Sequence, residues 1–394
     1  MNAAVRGTSR TRALRFVVLM GAVSLFADMT YEGARSITGP FLGSLGASGT
    51  VVGVVSGLGE LIGYGLRLVS GYLSDRTRRY WAMTIAGYGI NLFAVPCLAL
   101  ADRWDLAAAL VVMERLGKAI RTPPRDTLLS YATRQVGRGW GFGLHEALDQ
   151  AGAMLGPLIV AAVLVLKGTY QAGFAALLVP ALLAVAILLA ARALYPSPRD
   201  LEPPGDRPRA PFPRLFWIYL GGVSLVAAGY ADYPLIAYHF GRVSSVPRDW
   251  IPVFYSVAMG VDALAALAFG YLFDRRGFGI LLLSVLLSAA FAPLVFFGGF
   301  WLSLGGVVLW GIGMGAQESI VRAAIAEMIP ADRRGTAYGV FNTGYGVFWF
   351  AGSALMGYLY DISIPALVLF SIAAQLLSVP LLWMVKRRWA AGPA

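Results

Sequence analysis

Long apolar runs separated by short polar connections dominate this sequence. Each run has about 20 residues, the length a helix needs to cross a hydrocarbon core roughly 30 Å thick. The runs lack the alternation of strands and the one-sided pattern of soluble helices. We therefore predict an all-α membrane protein with twelve transmembrane helices. The predicted spans are 15–35, 49–73, 80–101, 105–123, 139–166, 171–193, 214–240, 250–273, 278–299, 301–328, 335–360 and 364–385.

Composition agrees with a chain embedded in a lipid bilayer. Of the 394 residues, 58% are hydrophobic and 13% are charged, whereas soluble domains carry about 25% charged residues. The net charge of +11 comes from short basic clusters between the apolar runs, so we expect no nucleic-acid partner. Cys97 is the single cysteine, which excludes a disulfide within the chain. The first apolar run contains Asp28 and Glu32, so no cleavable signal peptide is expected.

The distribution of Lys and Arg predicts the orientation. An even number of spans places both termini on one side of the membrane. The termini and the connections on their side hold 22 Lys and Arg residues, against 4 in the remaining connections. Because cytoplasmic loops are enriched in these residues, we expect the inner (cytoplasmic) membrane with both termini in the cytoplasm.

The chain also repeats itself. GYLSDR at 71–76 returns as GYLFDR at 270–275, and RGWGFG at 138–143 returns as RGTAYG at 334–339. The offsets are 196 to 199 residues, which indicates two related six-helix bundles. A segment rich in proline and charge separates them and is typical of an extended linker. The predicted domains are a first bundle at 1–194, a cytoplasmic linker at 195–213 and a second bundle at 214–394.

Three motifs resemble those of the major facilitator superfamily. GYLSDRTRRY at 71–80 is similar to its loop signature G-x-L-a-D-R-x-G-R-(K/R), with Arg78 where a second glycine is usual. Arg115 resembles the basic residue of its fourth helix. GAMLGP at 152–157 resembles the G-x-x-x-G-P signature of its antiporters, carried here by Gly152, Gly156 and Pro157. The resemblance covers essentially the whole chain and implies a transporter fold, particularly that of bacterial efflux proteins.

Charged residues within the spans mark candidate functional positions, because charge is costly in a membrane and faces a cavity or a partner. The third, sixth, ninth and twelfth spans have none in their interiors. The resemblance implies that the first, fourth, seventh and tenth helices line a cavity, and that the second, fifth, eighth and eleventh form the interface between halves. Charged or titratable residues of the other spans include Asp28, Glu32, Arg35, Glu60, Arg67, Glu114, Arg115, Lys118, Arg121, His145, Glu146, Asp149, Asp232, Asp262, Glu318 and Arg322.

Among these, Asp28 and Asp149 are the strongest candidates for proton coupling. Each lies about midway through its span, at the depth where transporter sites cluster. A buried carboxylate can carry a proton, and His145, four residues before Asp149, could assist. Spacing also places charges on common helix faces, which leaves plain internal salt bridges as an alternative. The full predicted set for coupling or the substrate cavity is Asp28, Glu32, Arg35, Glu114, Arg115, Lys118, His145, Glu146, Asp149, Asp232, Glu318 and Arg322.

The repeated loop predicts a gate. Asp75 and its counterpart Asp274 end predicted helices on the cytoplasmic side, where a carboxylate can meet the N-terminus of another helix. Such a contact would hold the halves together in one state and release them in the other. The alternative is a solvated loop. The predicted gating residues are Gly71, Asp75, Arg76, Arg79, Asp274 and Arg275.

Together these features predict a secondary transporter, and export of a small solute in exchange for protons is the leading hypothesis. Two alternatives remain open: proton-coupled uptake of an organic anion through Arg115, Lys118 and Arg322, and export of a divalent metal through Asp28, His145 and Asp149. An enzyme or scaffold is less consistent with charges spread through both halves. No phosphate-binding loop is present, so we expect no ATP-driven mechanism by this chain. We expect no cofactor and a monomer.

Overall fold

The computed structural model describes residues 3–136, 138–196, 212–329 and 334–390, and within these ranges the regular structure is helical. The all-α prediction is confirmed. The helices are α1 (Ala3–Ser44), α2 (Gly49–Thr77), α3 (Tyr80–Cys97), α4 (Trp104–Val136), α5 (Arg138–Lys167), α6 (Tyr170–Ala176), α7 (Leu178–Leu194), α8 (Arg214–Gly229), α9 (Tyr233–Val243), α10 (Trp250–Arg276), α11 (Gly279–Ser288), α12 (Phe291–Phe297), α13 (Phe300–Met328), α14 (Arg334–Ile362) and α15 (Ile364–Ala390).

Three of the twelve predicted spans consist of two helices each. The sixth span is α6 and α7, the seventh is α8 and α9, and the ninth is α11 and α12. In each, a proline lies three to four residues after the break: Pro180, Pro234 and Pro293. Because proline has no N–H to donate to the carbonyl four residues earlier, the helix ends there and restarts. Counting each pair as one span gives the twelve predicted segments.

Ten of these segments are long and apolar enough to cross a membrane by composition alone. The exceptions in the described chain are α4 and α14. Helix α4 is not apolar enough, because it contains the charged residues Glu114, Arg115, Lys118 and Arg121. Helix α14 contains several glycines and tyrosines together with Asn342, which lower its hydropathy. These two segments are therefore the least suited to face lipid.

The described chain packs as two compact units. The first unit contains residues 1–34, 66–101 and 109–205, and the second contains 35–65, 102–108 and 206–394. The second unit therefore includes the end of α1 and the beginning of α2 as well as the helices from α8 onward. Most of the predicted linker, residues 197–211, lies outside the described residues. The predicted division at 194 and 214 remains a prediction.

Glycines permit close helix contacts in each unit. In the first unit, a Cβ at Gly156 would overlap the carbonyl oxygen of Met29, so α5 and α1 touch through their backbones. In the second unit, a Cβ at Gly352 would overlap the carbonyl oxygen of Ala228, so α14 and α8 touch in the same way. The repeat detected in the sequence thus corresponds to a repeated helix contact.

Exposed tryptophans of the second unit lie near helix ends. Trp104, Trp250 and Trp301 lie at the beginnings of α4, α10 and α13, and Trp301 is 78% exposed. Trp217, near the beginning of α8, and Trp383 and Trp389, toward the end of α15, are also exposed. Tryptophan favours the interface between lipid and water, so these rings indicate where the chain leaves the hydrocarbon.

Candidate functional site: buried charges in both units

Charges from α1 and α4 meet inside the first unit. Lys118 Nζ lies 3.7 Å from Glu32 Oε1 and 3.9 Å from the centre of the Tyr31 ring. One turn further along α4, the Arg121 guanidinium lies 4.3 Å from the centre of the Tyr88 ring on α3. Lys118 and Arg121 share one face of α4, as their spacing in the sequence indicates. The interior of the first unit is therefore a network of charges and aromatic rings.

Asp28 and Asp149 lie in the same network. The Asp28 side chain is buried, and its electrostatic neighbours are Asp149, Lys118, Arg121 and Glu32. A Cβ at Gly152, one turn after Asp149, would overlap the backbone of α1 and lie 3.1 Å from Asp28 Cβ. The glycine signature of α5 therefore brings the two carboxylates together. Within the described residues, one buried oxygen of each carboxylate, Oδ1, has no hydrogen-bond partner.

Arg121 is a buried cation that the predicted site set did not include. It is 1% exposed, and its Nε and Nη1 atoms have no hydrogen-bond acceptor in the described part of the chain. Buried donors of this kind are rare, because each forfeits its hydration without compensation. The i, i+3 spacing from Lys118 placed Arg121 on this helix face, but sequence could not show that its donors would lack acceptors.

His145 takes part in a polar chain rather than a metal site. Its Nε2 lies 2.9 Å from Ser24 Oγ, and Arg125 Nη1 donates to the same oxygen at 3.2 Å. Arg125 also pairs with Asp126 at 2.8 Å. Among the described residues, no three His, Cys, Asp or Glu side chains form a group that could hold a metal ion. Asp28, His145 and Asp149 therefore do not form the metal cluster of the second alternative.

Glu114 and Arg115 form a separate pair on α4. Arg115 Nε lies 3.2 Å from Glu114 Oε2. The Asn91 amide on α3 donates to Glu114 Oε1 at 2.7 Å and to the Glu114 carbonyl at 3.0 Å. Glu114 thus joins α3 to α4. Glu146, by contrast, is exposed on α5.

A second charged cluster lies in the second unit, where the seventh span is broken. Arg35 Nη2 lies 3.0 Å from Glu60 Oε1 on α2 and forms a short ion pair with Asp232 Oδ1. The three side chains are at most 11% exposed. Asp232 caps α9, since its Oδ1 also accepts from the Tyr233 N–H at 3.0 Å. Sequence reasoning noted Glu60 as a charge but did not include it in the site, because its partners are far away in the chain.

Side chains also hold the break itself in place. The Trp310 indole donates to the Ala231 carbonyl at 2.9 Å, and Ser371 Oγ donates to the Gly229 carbonyl at 2.6 Å. Backbone groups at a helix break need partners from other helices in a membrane. These bonds hold the break in a fixed conformation, in which Asp232 pairs with Arg35.

Comparison with known proteins identifies the family. The model of the Major Facilitator Superfamily matches residues 19–353 and, in a second match, residues 233–392. The chain belongs to the Major Facilitator Superfamily. It is therefore a transporter of the membrane rather than an enzyme.

Relatives and solved structures agree with this membership. An uncharacterized protein of Mycobacterium tuberculosis is 44% identical over 383 residues, which cover 95% of this chain and 93% of the relative. An uncharacterized MFS-type transporter of Methanocaldococcus jannaschii is 28% identical over 362 residues, 88% of this chain and 89% of the relative. The crystal structure of the nucleoside transporter NupG (D323A mutant) aligns with a TM-score of 0.76 and 12% identity, covering 93% of this chain and 99% of that chain. The last likeness concerns the fold alone.

The loop at 71–80 and its counterpart in the second repeat each contain a residue with positive φ. Arg78 adopts φ +56°, and Gly277, at the matching place in the second repeat, adopts φ +60°. Asp75 is exposed and accepts a hydrogen bond from the Tyr80 hydroxyl at 3.1 Å. Arg275 stacks on the Tyr271 ring at 4.3 Å. The side chains of Asp274 and Arg322 lie outside the described residues, so the predicted gate and the Glu318–Arg322 pair stay predictions.

A carboxylate at a helix N-terminus does occur in the second unit, at the other end of α2. Asp361 accepts from the N–H groups of Gly49 at 2.8 Å and Thr50 at 2.7 Å. The Thr50 hydroxyl donates to the same side chain at 2.6 Å. Asp361, near the end of α14, thus caps the beginning of α2. This contact has the chemistry predicted for Asp75, at a position that sequence reasoning did not single out.

Proposed function

We propose that this superfamily member exports a small solute across the inner membrane in exchange for protons, with both termini in the cytoplasm. The observation that carries the proposal is the pair Asp28 and Asp149, two neighbouring carboxylates whose buried Oδ1 atoms lack hydrogen bonds within the described chain. Two such groups at low dielectric disfavour double ionisation, and one shared proton relieves the repulsion. Lys118 and Arg121 lie beside them, so a change in their positions would alter how tightly the proton is held.

Close contact between α1 and α5 supports the same assignment. The contacts of Gly152 and Gly156 fix Asp149 against α1, which makes the distance between the carboxylates sensitive to any sliding of the two helices. A proton site of this kind responds to conformation, as an alternating-access exchanger requires.

Proton flux in everted membrane vesicles tests the proposal. With an acidic lumen reported by acridine orange, a transported solute added outside should release protons and restore the fluorescence. Asp149→Asn should abolish this response while downhill solute exchange continues, because the solute path remains. Asp105→Asn, which removes an exposed carboxylate paired with Arg103, is the matched control and should behave as wild type. Normal proton release by both Asp28→Asn and Asp149→Asn would reject these residues as the coupling site.

Proton-coupled uptake of an organic anion is a second candidate, and one observation favours it. Arg121 presents two buried donors without acceptors in the described chain, and a guanidinium binds carboxylates and phosphates well. The same vesicles discriminate the two candidates. Without an imposed gradient, a symported anion added outside should acidify the lumen, whereas an exchanger with an acidic lumen should make it more alkaline.

Cysteine labelling tests the orientation. In a Cys97→Ala background, which removes the one native thiol, Arg78→Cys lies in the exposed α2–α3 loop and Ser44→Cys at the exposed end of α1. An impermeant maleimide should label Ser44→Cys in intact cells and Arg78→Cys only after the membrane is opened. The reverse pattern would overturn the proposed orientation.

A further inference from the structure

The first unit contains a buried arginine that differs from the other cations of α4. Lys118 lies 3.7 Å from Glu32, and Arg125 lies 2.8 Å from Asp126. Arg121 lies between these two cations in the sequence, and none of the described residues places a carboxylate within ion-pair distance of it. Taking a guanidinium out of water is costly unless an opposite charge compensates it. Arg121 therefore bears a charge that lacks a direct counter-charge.

The more distant carboxylates compensate Arg121 only in part. Asp28 and Asp149 are electrostatic neighbours of Arg121, but both also face Lys118, and Asp149 faces Arg125 as well. Each carboxylate is thus shared among several cations. A further negative charge next to Arg121 would lower the free energy of this interior.

Aromatic rings contact Arg121 without accepting its hydrogen bonds. The guanidinium carbon lies 4.3 Å from the centre of the Tyr88 ring and 5.5 Å from the centre of the Tyr31 ring. A cation over a ring gains about 0.5–2 kcal/mol, which is less than the cost of burying it. The Nε and Nη1 donors still lack an acceptor within the ranges that the structure describes. Their hydrogen bonds remain to be made.

Helix α3 adds two hydroxyl groups to these donors. Thr84 and Tyr88 lie four residues apart, so they share one face of α3. Both are 0% exposed, and neither Thr84 Oγ1 nor Tyr88 Oη has a hydrogen-bond partner in the described part of the chain. Gly87 lies on the same face, and a Cβ there would be only 2.6 Å from the Arg121 backbone nitrogen. Four buried polar atoms without partners therefore surround one contact between α3 and α4. Such atoms are rare in native proteins and call for an explanation.

The donors indicate the chemistry of a ligand. Guanidinium N–H groups only donate, and a hydroxyl donates readily to a charged acceptor. The matching ligand is therefore an anion, and one uncompensated cation calls for a single negative charge. The complete burial of Thr84 and Tyr88 and the close approach at Gly87 leave no exposed surface for an organic solute. A spherical ion accepts hydrogen bonds from any direction, which suits donors on two helices.

We propose that Thr84, Tyr88 and Arg121 form a binding site for a small monovalent anion, of the size of chloride, between α3 and α4. The anion accepts hydrogen bonds from the two hydroxyls and the guanidinium, and it compensates the charge of Arg121. The inference goes beyond the proposed exchange with protons and does not depend on it. Chloride binding at this site would also account for the Arg121 donors that favour uptake of an organic anion.

Thermal unfolding of the full chain in detergent tests the site, with chloride as the probe. Sodium chloride replaces sodium gluconate at constant ionic strength, and circular dichroism reports unfolding. The midpoint should rise with chloride concentration and then level off on the logarithmic scale expected of one site, because a ligand that binds the folded state stabilises it. Broadening of the chloride-35 NMR line by the folded protein measures binding directly.

Variants of the three residues should each weaken this response. Tyr88→Phe and Thr84→Val remove one hydroxyl with little change of volume, and each should lower the affinity for chloride about tenfold, as expected for a hydrogen bond to a charged group. Arg121→Gln should abolish the dependence on chloride. In gluconate, Arg121→Gln should unfold at the same temperature as the wild type or higher, because it removes an uncompensated buried charge. Arg103→Gln, at an arginine that is 73% exposed, is the matched control and should respond as the wild type does.

The outcomes decide the proposal in either direction. Equal wild-type midpoints in chloride and gluconate, without line broadening, would overturn it. A chloride effect of the same size in wild type and Arg121→Gln would also overturn it, since chloride would then act elsewhere. If Arg121→Gln does not fold, the two hydroxyl variants decide: weaker affinity supports the site, and unchanged affinity in both contradicts it.

This experiment is distinguishable from the test of export. It uses neither a solute nor a proton gradient, so failure of the proposed exchange leaves its result unchanged. Chloride binding together with an absence of proton release would keep the anion site and remove the export proposal. Proton release by a protein that does not bind chloride would have the reverse meaning.

Discussion

The interiors of the two halves of this transporter differ in chemistry although their helix contacts match. In the first unit the interior holds Asp28, Glu32, Lys118 and Arg121, and α5 adds Asp149. The contacts Gly156–Met29 and Gly352–Ala228 set the correspondence between halves, with offsets of 352 − 156 = 196 and 228 − 29 = 199.

Applied to the second half, these offsets replace three of these charges by uncharged residues. Asp28 corresponds to Ala227, Glu32 to Ala231 and Asp149 to Tyr345. The second interior adds a set of packed aromatic rings to the charged cluster of Arg35, Glu60 and Asp232. Trp310 lies 5.8 Å from Tyr230 and from Tyr233, between ring centres, and Trp349 lies 5.5 Å from Tyr345. All five are almost fully buried.

The difference suggests how one ancestral unit can serve two purposes. Glycine-to-backbone contact is common to both halves and sets the helix spacing. The first interior brings Asp28, Asp149, Lys118 and Arg121 together, and burying these charged groups costs free energy. Packed aromatic surface fills the second interior, where it stabilises. Substitutions should therefore affect stability mainly in the second half and transport mainly in the first.

The largest expected effect tests that division directly. Trp310→Ala should lower the free energy of unfolding by about 3–5 kcal/mol, since it leaves a cavity and frees the Ala231 carbonyl. Asp28→Asn should leave it unchanged or raise it, because a buried carboxylate with an unpaired oxygen becomes a neutral amide. Circular dichroism during denaturation in detergent measures both. An equal loss in the two variants would show that the charged interior is as much a structural core as the aromatic one.

Glycine-to-alanine substitutions at the repeated helix contacts should lower the free energy of unfolding by a smaller and similar amount in both halves. Gly156→Ala and Gly352→Ala each place a methyl group on a backbone carbonyl of a neighbouring helix, and overpacking of this kind costs about 1–3 kcal/mol. The same denaturation experiment should give similar losses for both. Gly63→Ala, where a Cβ meets no atom within 4 Å, is the matched control. A loss in only one half would mean that the repeated contact is not equivalent.

The loops after α2 and after α10 each contain a residue with positive φ, and substitutions there should change the free energy of unfolding in opposite directions. Gly277 has φ +60° and ψ −150°, a region open almost only to glycine, so Gly277→Ala should destabilise by about 1–3 kcal/mol. Arg78 has φ +56°, and left-handed backbone costs a side-chain-bearing residue about 1–2 kcal/mol. Arg78→Gly should therefore stabilise slightly, after the entropy cost of glycine of about 0.5–1 kcal/mol. Destabilisation by Arg78→Gly would point to a role for the arginine side chain.

Asp361 should give the smallest effect, and one that depends on pH. Partial burial would raise the pKa of this carboxyl, but hydrogen bonds from Thr50 and Gly49 hold the pKa below its ordinary 3.8. The cap is thus fully present above pH 3.8 and is lost as the pH falls through the lower folded-state value. Asp361→Asn should cost about 0.5–1 kcal/mol at neutral pH and nothing in strong acid. A loss that persists in acid would contradict a charge-based cap.

Sequence predicted the fold well because its signals are local. Span lengths follow from apolar runs, and the repeat follows from the matching loops at 71–76 and 270–275. The breaks at Pro180, Pro234 and Pro293 were missed because prolines such as Pro157 lie inside continuous helices elsewhere. Whether a helix tolerates a proline depends on the partners that other helices offer to the freed carbonyl.

The candidate site was predictable only within single helices. The spacing from Asp28 to Glu32 gave a common face, and Gly152 placed α5 beside it. Pairing between helices was not predictable, since Arg35 meets Glu60 and Asp232 across 25 and 197 positions of the chain. The same limit hid Asp361, whose partners begin at Gly49. Local patterns name the charged residues, and tertiary packing decides which of them meet.

The exposed tryptophans have a mechanical consequence for the surrounding lipid. From Ile364 to Trp383, α15 has 20 residues, about 30 Å of helix, close to the roughly 30 Å of a bilayer core. Rings that lie near both ends of the helices tie the protein to two interfaces at once. Vertical displacement would pull one set of indoles into hydrocarbon and the other into water, so the second unit should tilt rather than slide. A thicker bilayer should therefore disfavour the tilted state, because tilting shortens the thickness that the helices span.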